Sequence, residues 1–134
     1  MLLNNLAFAL ASSEHVAEAR AVFARIPRAL ADKATSVTLI ATEGLLEYRG
    51  GNAPRGRQLY KTAFDGALEL GLKKQAALAA AYLAREEMRL GAPGATEAVA
   101  RASESASSAD CEEARLILSG VEAAGERGQV EGQS

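Results

Sequence analysis

The sequence of 134 residues predicts an all-α chain, built as a stack of about three antiparallel helix hairpins closed by a C-terminal capping helix. Three observations carry this. Apolar residues recur at helical spacing almost throughout, and the alternation of a half-buried strand is nearly absent. Apolar residues make up 49% of the chain but aromatics only 4%, with no Trp, so the core must be mostly Ala, Leu, Val and Ile. Ala and Leu lose little rotamer freedom in a helix. Finally, a pattern of small residues returns at near-constant distance along the chain, as set out below.

The elements follow in order. Leu3, Leu6, Ala7 and Leu10 define a first helix. Ser13 is a good N-cap for a second, which carries Val16, Ala19, Phe23 and Ile26 on one face and ends at Pro27. A polar connection runs to Asp32. A third helix extends from there to Arg49, with Val37, Ile40, Ala41, Gly44, Leu45 and Tyr48 inward. Gly50-Gly51 stops it. Asn52 caps a fourth helix and Pro54 sits in its first turn, where a missing N–H costs nothing. Gly71 ends that helix. An Ala-rich fifth helix spans residues 73–90 and closes at Gly91, and Pro93 opens a sixth with Ala95, Val99 and Ala102. The Ser-rich stretch 103–108 reads as a fraying end and a turn. Asp110 with Glu113 forms a capping-box pattern for a seventh helix, whose inner stripe is Cys111, Ala114, Leu118 and Val121. The hairpins fall at about 2–26, 32–70 and 73–106, and the capping helix at 109–124. One domain over 1–124 is expected, and a disordered tail over 125–134, where Gly, Gln and charge take over.

Formal net charge is −2, so the counterion release that dominates nucleic-acid affinity contributes little, and nucleic acid is not an expected partner. The charge is uneven. Residues 49–74 hold six basic and two acidic side chains, which leaves a net −6 on the remainder. Two readings fit a basic middle: a surface for an acidic partner, or a solvated helix face. The single cysteine excludes an intrachain disulfide and suits a reducing cytoplasm, although a chain that needs no disulfide could work in any compartment. The N-terminus shows no basic region and no cleavage pattern, and charges interrupt every apolar stretch too early for a membrane span.

The repeat is the informative feature. Ala19-Phe23-Ile26, Gly56-Tyr60-Ala63 and Ala95-Val99-Ala102 share one spacing, and their starts lie 37 and 39 residues apart. Each follows a helix with a small residue about twelve positions earlier, at Ala7, Gly44 and the Leu83-Ala84 pair. A crossing point between two helices admits only small side chains, and a hairpin alone leaves one apolar face wet, so hairpins stack. This pattern resembles the tetratricopeptide repeat. Asn5-Leu6-Ala7, Leu10, Ala19 and Phe23 match one unit. Gly44, Gly51-Asn52, Gly56, Tyr60 and Ala63 match a second, and Tyr82, Leu83-Ala84 and Gly91 match a third, in which Val99 replaces the aromatic. The resemblance covers residues 2–106, with a period longer than the family's and only Pro27 near the usual proline place.

The resemblance implies a right-handed α-solenoid that acts as a protein–protein interaction scaffold or adaptor. Its concave groove would grip a partner peptide or protein without catalysis. Carried over position by position, the groove residues are Asn4, Phe8 and Ser12, then Thr38, Ala41, Leu45, Tyr48 and Arg49, then Ala81 or Tyr82, Arg85, Met88 and Arg89. Aromatic and arginine side chains most often dominate binding energy, and guanidinium forks pair with carboxylates, so the implied partner is an acidic peptide. The family's chaperone-tail clamp is not expected, because Asn4 and Phe8 stand where that clamp has lysine and asparagine.

No reactive constellation is legible, and no metal or cofactor is expected. One His and one Cys cannot make a metal site. His15 reads as an exposed turn residue. Cys111 lies on an apolar stripe beside Glu112 and Glu113, the opposite of what activates a thiolate. Gly50-Gly51-Asn52 lacks the Gly-Lys-Ser/Thr ending of a phosphate loop. Glu86 and Glu87 are neighbours on a helix, about 100° apart, and cannot share a proton. A second functional reading is a helical accessory or regulatory segment of a larger enzyme or transcriptional regulator. It rests on the uncapped apolar start at Leu2 and Leu3, since terminal repeats of solenoids carry a polar outer face. The same start leads to the expectation of a segment from a longer array, or of a first helix that packs against a second copy.

Overall fold

The computed structural model describes residues 2–132, and the side chains of 2–29 and 31–122. Among these residues every regular element is helical: α1 (Leu2–Ser12), α2 (Val16–Ala24), a 3-10 turn (Arg28–Leu30), α3 (Lys33–Arg49), α4 (Ala53–Glu69), α5 (Lys73–Leu90), α6 (Ala95–Ala109) and α7 (Glu112–Gly132). The chain divides into two compact units, Met1–Leu72 and Lys73–Ser134.

In the first unit α1 packs on α2 and α3 on α4, and both α1 and α2 lie against α3. Its core is built on fully buried Ala7, Ala11 and Ala19 in the first hairpin, and on Leu45, Tyr60 and Ala63 in the second. The α3–α4 crossing is set by two glycines. A Cβ on Gly56 would stand 2.8 Å from the Gly44 carbonyl oxygen and 2.6 Å from Tyr48 Cδ2. No side chain fits there, so the helices approach backbone to backbone. In the second unit α5 packs on both α6 and α7, and α6 touches α7. Its core is alanine from α5 and α6, closed by Cys111, Ala114, Leu118 and Val121.

The helix starts follow from their caps. The Asp32 carboxylate accepts from Thr35 N at 2.7 Å, and the Asn52 side chain accepts from Arg55 N at 3.4 Å. Five helix ends, those of α1, α3, α4, α5 and α6, share one turn. Glu14, Gly51, Gly71, Gly91 and Asp110 all have positive φ. After each, a backbone N–H reaches back five residues: His15 to Leu10 at 2.8 Å, Asn52 to Glu47 at 2.8 Å, Leu72 to Ala67 at 2.8 Å, Ala92 to Glu87 at 3.0 Å and Cys111 to Ala106 at 3.0 Å. This is the Schellman closure of a helix C-terminus.

Three expectations need correction. Ser13 does not cap α2. Its hydroxyl donates to Ala9 O at 2.9 Å, back into α1, and His15 occupies the N-cap without a side-chain bond. Residues 103–108 are helical, because Ala102 and Ala106 continue the buried stripe of α6 and outweigh the modest helix cost of serine. Asp110 ends α6 in the left-handed region instead of capping α7, and its carboxylate takes Arg115 Nη1 at 2.9 Å. In addition, α7 runs to Gly132, beyond the end at 124 and into the stretch expected to be a disordered tail. Residues 133 and 134, the end of that tail, lie outside the described residues.

Candidate functional site

The nine residues singled out from the sequence fall six in the first unit and three in the second. On α1, Asn4, Phe8 and Ser12 follow one another at i, i+4 and i+8 along one side. Asn4 is only 5% exposed, and its Oδ1 has no hydrogen-bond partner among the described residues. Phe8 and Ser12 are half-buried. On α3, Leu45 is 0% exposed and is core. Tyr48 is buried too. Its ring sits against Gly56 and lies 6.0 Å from the Tyr60 ring at an interplanar angle of 43°. Arg49 serves the fold: its Nη1 donates to Ser12 O at 3.1 Å, a carbonyl left open at the end of α1, and to Ala11 O at 3.4 Å, which also accepts from Glu14 N. The family register therefore carried Leu45 and Tyr48 to positions closed by packing, and Arg49 to a helix-capping position.

On α5, Tyr82, Arg85, Glu86 and Arg89 form a second group. The Arg85 guanidinium carbon stands 4.9 Å over the Tyr82 ring, and Arg85 Nε lies 3.2 Å from Glu86 Oε2. Arg89 Nη1 lies 3.9 Å from Glu86 Oε1. Glu86 is 2% exposed and Glu87 3%, while Met88 is half-buried and Arg89 exposed. Burial pushes the Tyr82 hydroxyl up, the nearby Glu113 carboxylate adds to this, and Arg85 opposes it. The burial of two adjacent glutamates was not read from the sequence. The available signal was the alanine pattern of α5, which fills nearly every helical phase and marks a helix enclosed on most sides.

A third group was also missed. Arg20, Arg28 and Arg55, from α2, the 3-10 turn and α4, converge on Glu43 and Glu47 of α3. Arg28 reaches Glu43 at 3.3 Å, Arg55 reaches Glu43 at 3.6 Å and Glu47 at 3.8 Å, and Arg20 reaches Glu47 at 3.6 Å. Arg28 also lies 5.1 Å over the Phe23 ring. The basic segment 49–74 is thus partly answered from outside itself: Arg55 by glutamates of α3, and Arg49 by carbonyls of α1.

His15 is exposed, and buried Cys111 Sγ lies 3.9 Å from Lys74 O. No cluster of three or more His, Cys, Asp or Glu among the described residues is placed to hold a metal ion. No described helix is long and apolar enough to cross a membrane. Compared with protein-family models, with curated proteins and with solved structures, the chain matches none.

Proposed function

We propose that the chain is a helical-repeat module of the tetratricopeptide type that binds a partner peptide or protein and performs no chemistry of its own. One observation carries the reading. The small residues that recur twelve or so positions apart, Ala7 with Ala19, Gly44 with Gly56 and Ala84 with Ala95, are all buried, and each pair belongs to helices that pack on one another. Units of this kind cannot hide their apolar faces singly and join in series, which leaves extended side surfaces for a partner.

The side chains left for contact are Phe8 on α1 of the first unit and, separately in the second unit, Arg85, Met88 and Arg89 on α5. The proposed partner is an acidic peptide segment, since arginine forks match carboxylates and Met88 with Tyr82 supplies an apolar footing beside them. Nucleic acid and membrane surfaces are not part of this reading. The buried, unpaired thiol of Cys111 supports a reducing cytoplasm as the place of action.

The test is selection of a displayed random-peptide library on the purified chain, in parallel with an Arg85→Glu/Arg89→Glu variant. The expected result is enrichment of peptides rich in Asp and Glu, with binding at least tenfold weaker to the variant. A library that yields no enriched peptide, or peptides held equally by both proteins, overturns the proposal.

A further inference from the structure

The two hairpins of the first unit are unequally built. The largest fully buried side chains among the described residues, Tyr60, Leu39, Leu45, Leu46 and Thr42, all stand on α3 and α4. The first hairpin buries mainly alanine, and Phe23 is its largest core side chain. Burial free energy scales with apolar area, so the first hairpin is held less firmly. It also carries two polar atoms, Asn4 Oδ1 and Ser12 Oγ, that are out of solvent and have no hydrogen-bond partner among the described residues. A buried atom in this state opposes docking. Arginine bonds tie the hairpin to α3. Arg20 reaches Glu47 at 3.6 Å and the Leu46 carbonyl oxygen at 3.3 Å. Arg28 of the 3-10 turn reaches Glu43 at 3.3 Å, and Arg49 of α3 reaches back to Ser12 O and Ala11 O.

We propose that α1, α2 and the 3-10 turn form a salt-sensitive cover that lifts from α3 as one piece while the α3–α4 hairpin stays folded. The polar groups of α3 are provided for in both states. Arg55, on α4, reaches Glu43 at 3.6 Å and Glu47 at 3.8 Å, so neither carboxylate is orphaned when Arg20 and Arg28 leave. The Leu46 carbonyl keeps its bond from Gly50 N at 2.8 Å. Asn4 Oδ1 and Ser12 Oγ gain water. Ala31 and Asp32 are both extended and form the joint between the 3-10 turn and α3. Lifting releases the Arg49 guanidinium from the α1 carbonyls, on a side of α3 that α1 covers in the closed form. Salt acts on the ties because Arg20 and Arg28 are exposed, where ion pairs are screened. Once lifted, α1 of eleven residues and α2 of nine fall below the ~12–15 residues an isolated helix needs in water, so their amides exchange with solvent. α3 and α4 have seventeen residues each and retain their glycine crossing and shared core. Local opening of the piece with the least buried apolar surface is a general route of such exchange. The inference is independent of the peptide-binding reading above.

Hydrogen exchange of the full chain, read amide by amide by NMR, tests it. Amides of α2, Ala19 and Phe23 among them, are expected to exchange about tenfold faster than those at the α3–α4 crossing, or faster still. Raising NaCl from about 0.05 to about 0.5 M speeds α2 a few-fold and leaves the crossing amides unchanged. Those amides also report, in the same spectrum, that each variant is folded. Glu47→Gln removes the Arg20 ion pair and speeds α2 about threefold. Arg55→Gln acts in the opposite direction. Each carboxylate then has only the cover's arginine, opening leaves it unpaired, and α2 slows about threefold. Asn4→Leu replaces the unpartnered amide by an apolar group of similar size and slows α2 about fivefold or more. Arg55→Gln is the sharpest variant, because removing a residue that merely stabilised the fold would speed exchange. The proposal is overturned if α2 exchanges together with the crossing amides, or if salt moves both alike. It is also overturned if Arg55→Gln speeds α2 or leaves it unchanged, or if either Glu47→Gln or Asn4→Leu has no effect on α2.

Discussion

Gly56→Ala places one methyl group at the tightest point of the α3–α4 crossing. Its Cβ would stand 2.6 Å from Tyr48 Cδ2, 3.0 Å from Tyr48 Cγ and 2.8 Å from the Gly44 carbonyl oxygen. Carbon atoms rest about 3.5–4.0 Å apart, so roughly 1 Å of room must be opened. Neither obstacle yields easily. One is backbone, and the other is the root of a buried ring that also leans on Tyr60. Overpacking of this kind costs about 1–3 kcal/mol, and two immovable neighbours place it at the upper end. Alanine returns about 1 kcal/mol of helix propensity over glycine. The net expectation is a loss of about 2 kcal/mol. Gly44→Ala meets its nearest atoms at 3.1–3.3 Å, so its strain and its propensity gain nearly cancel. Gly120→Ala in α7 meets nothing within 4 Å and should gain up to about 1 kcal/mol. Urea unfolding followed by far-UV circular dichroism gives the order: Gly120→Ala most stable, then the native chain and Gly44→Ala, then Gly56→Ala. A Gly56→Ala chain as stable as the native one would refute the account of the crossing.

Three further outcomes follow from the same geometry. Leu45→Ala should lower stability by about 2–5 kcal/mol, since the side chain is 0% exposed; a variant that melts with the native chain would return Leu45 to the surface. The Thr35 backbone and side-chain hydrogen bonds hold the Asp32 carboxyl below its ordinary value of 3.8. Its capping contribution is thus complete above that pH and fades as pH falls through the lower folded value. The gap in urea midpoint between the native chain and Asp32→Ala should narrow on acidification, whereas an Asp32→Asn variant should lack this pH dependence; a gap constant down to pH about 2 contradicts the cap. Buried Cys111 should react with a disulfide reagent many times more slowly in buffer than in denaturing urea, and equal rates would place the thiol at the surface.

The helices were legible where the punctuation was chemical. Asp32, the Asn52–Pro54 start, and the stops at Gly51, Gly71 and Gly91 fix the ends of α3, α4 and α5, because each residue satisfies or tolerates a backbone condition that few others meet. Where the same backbone condition is met by an atypical residue, the reading failed. Glu14 and Asp110 adopt the left-handed turn without being glycine, so Ser13 and Asp110 were given the wrong end of a helix. The serine run failed for another reason: propensity is local, whereas burial of Ala106 is not. At the candidate site, a family register gives the direction of a side chain but not the depth of the surface above it. The Tyr48 ring lies against Gly56, a neighbour on another helix, and is closed off there. The charge groups were hidden for the same cause, since Glu43, Glu47, Arg20 and Arg55 meet only after the hairpins pack.

The repeated closure of the helix ends has a kinetic consequence. At the four of these turns that lie inside a unit, after Glu14, Gly51, Gly91 and Asp110, the chain reverses within a few residues and is locked by a bond that spans only five. The partners in each hairpin are thereby brought face to face before any long segment of chain has to be organised. Contacts between near neighbours dominate, which is the regime of microsecond-to-millisecond folding. The slow search that burdens proteins of long-range strand pairing has no counterpart in these hairpins.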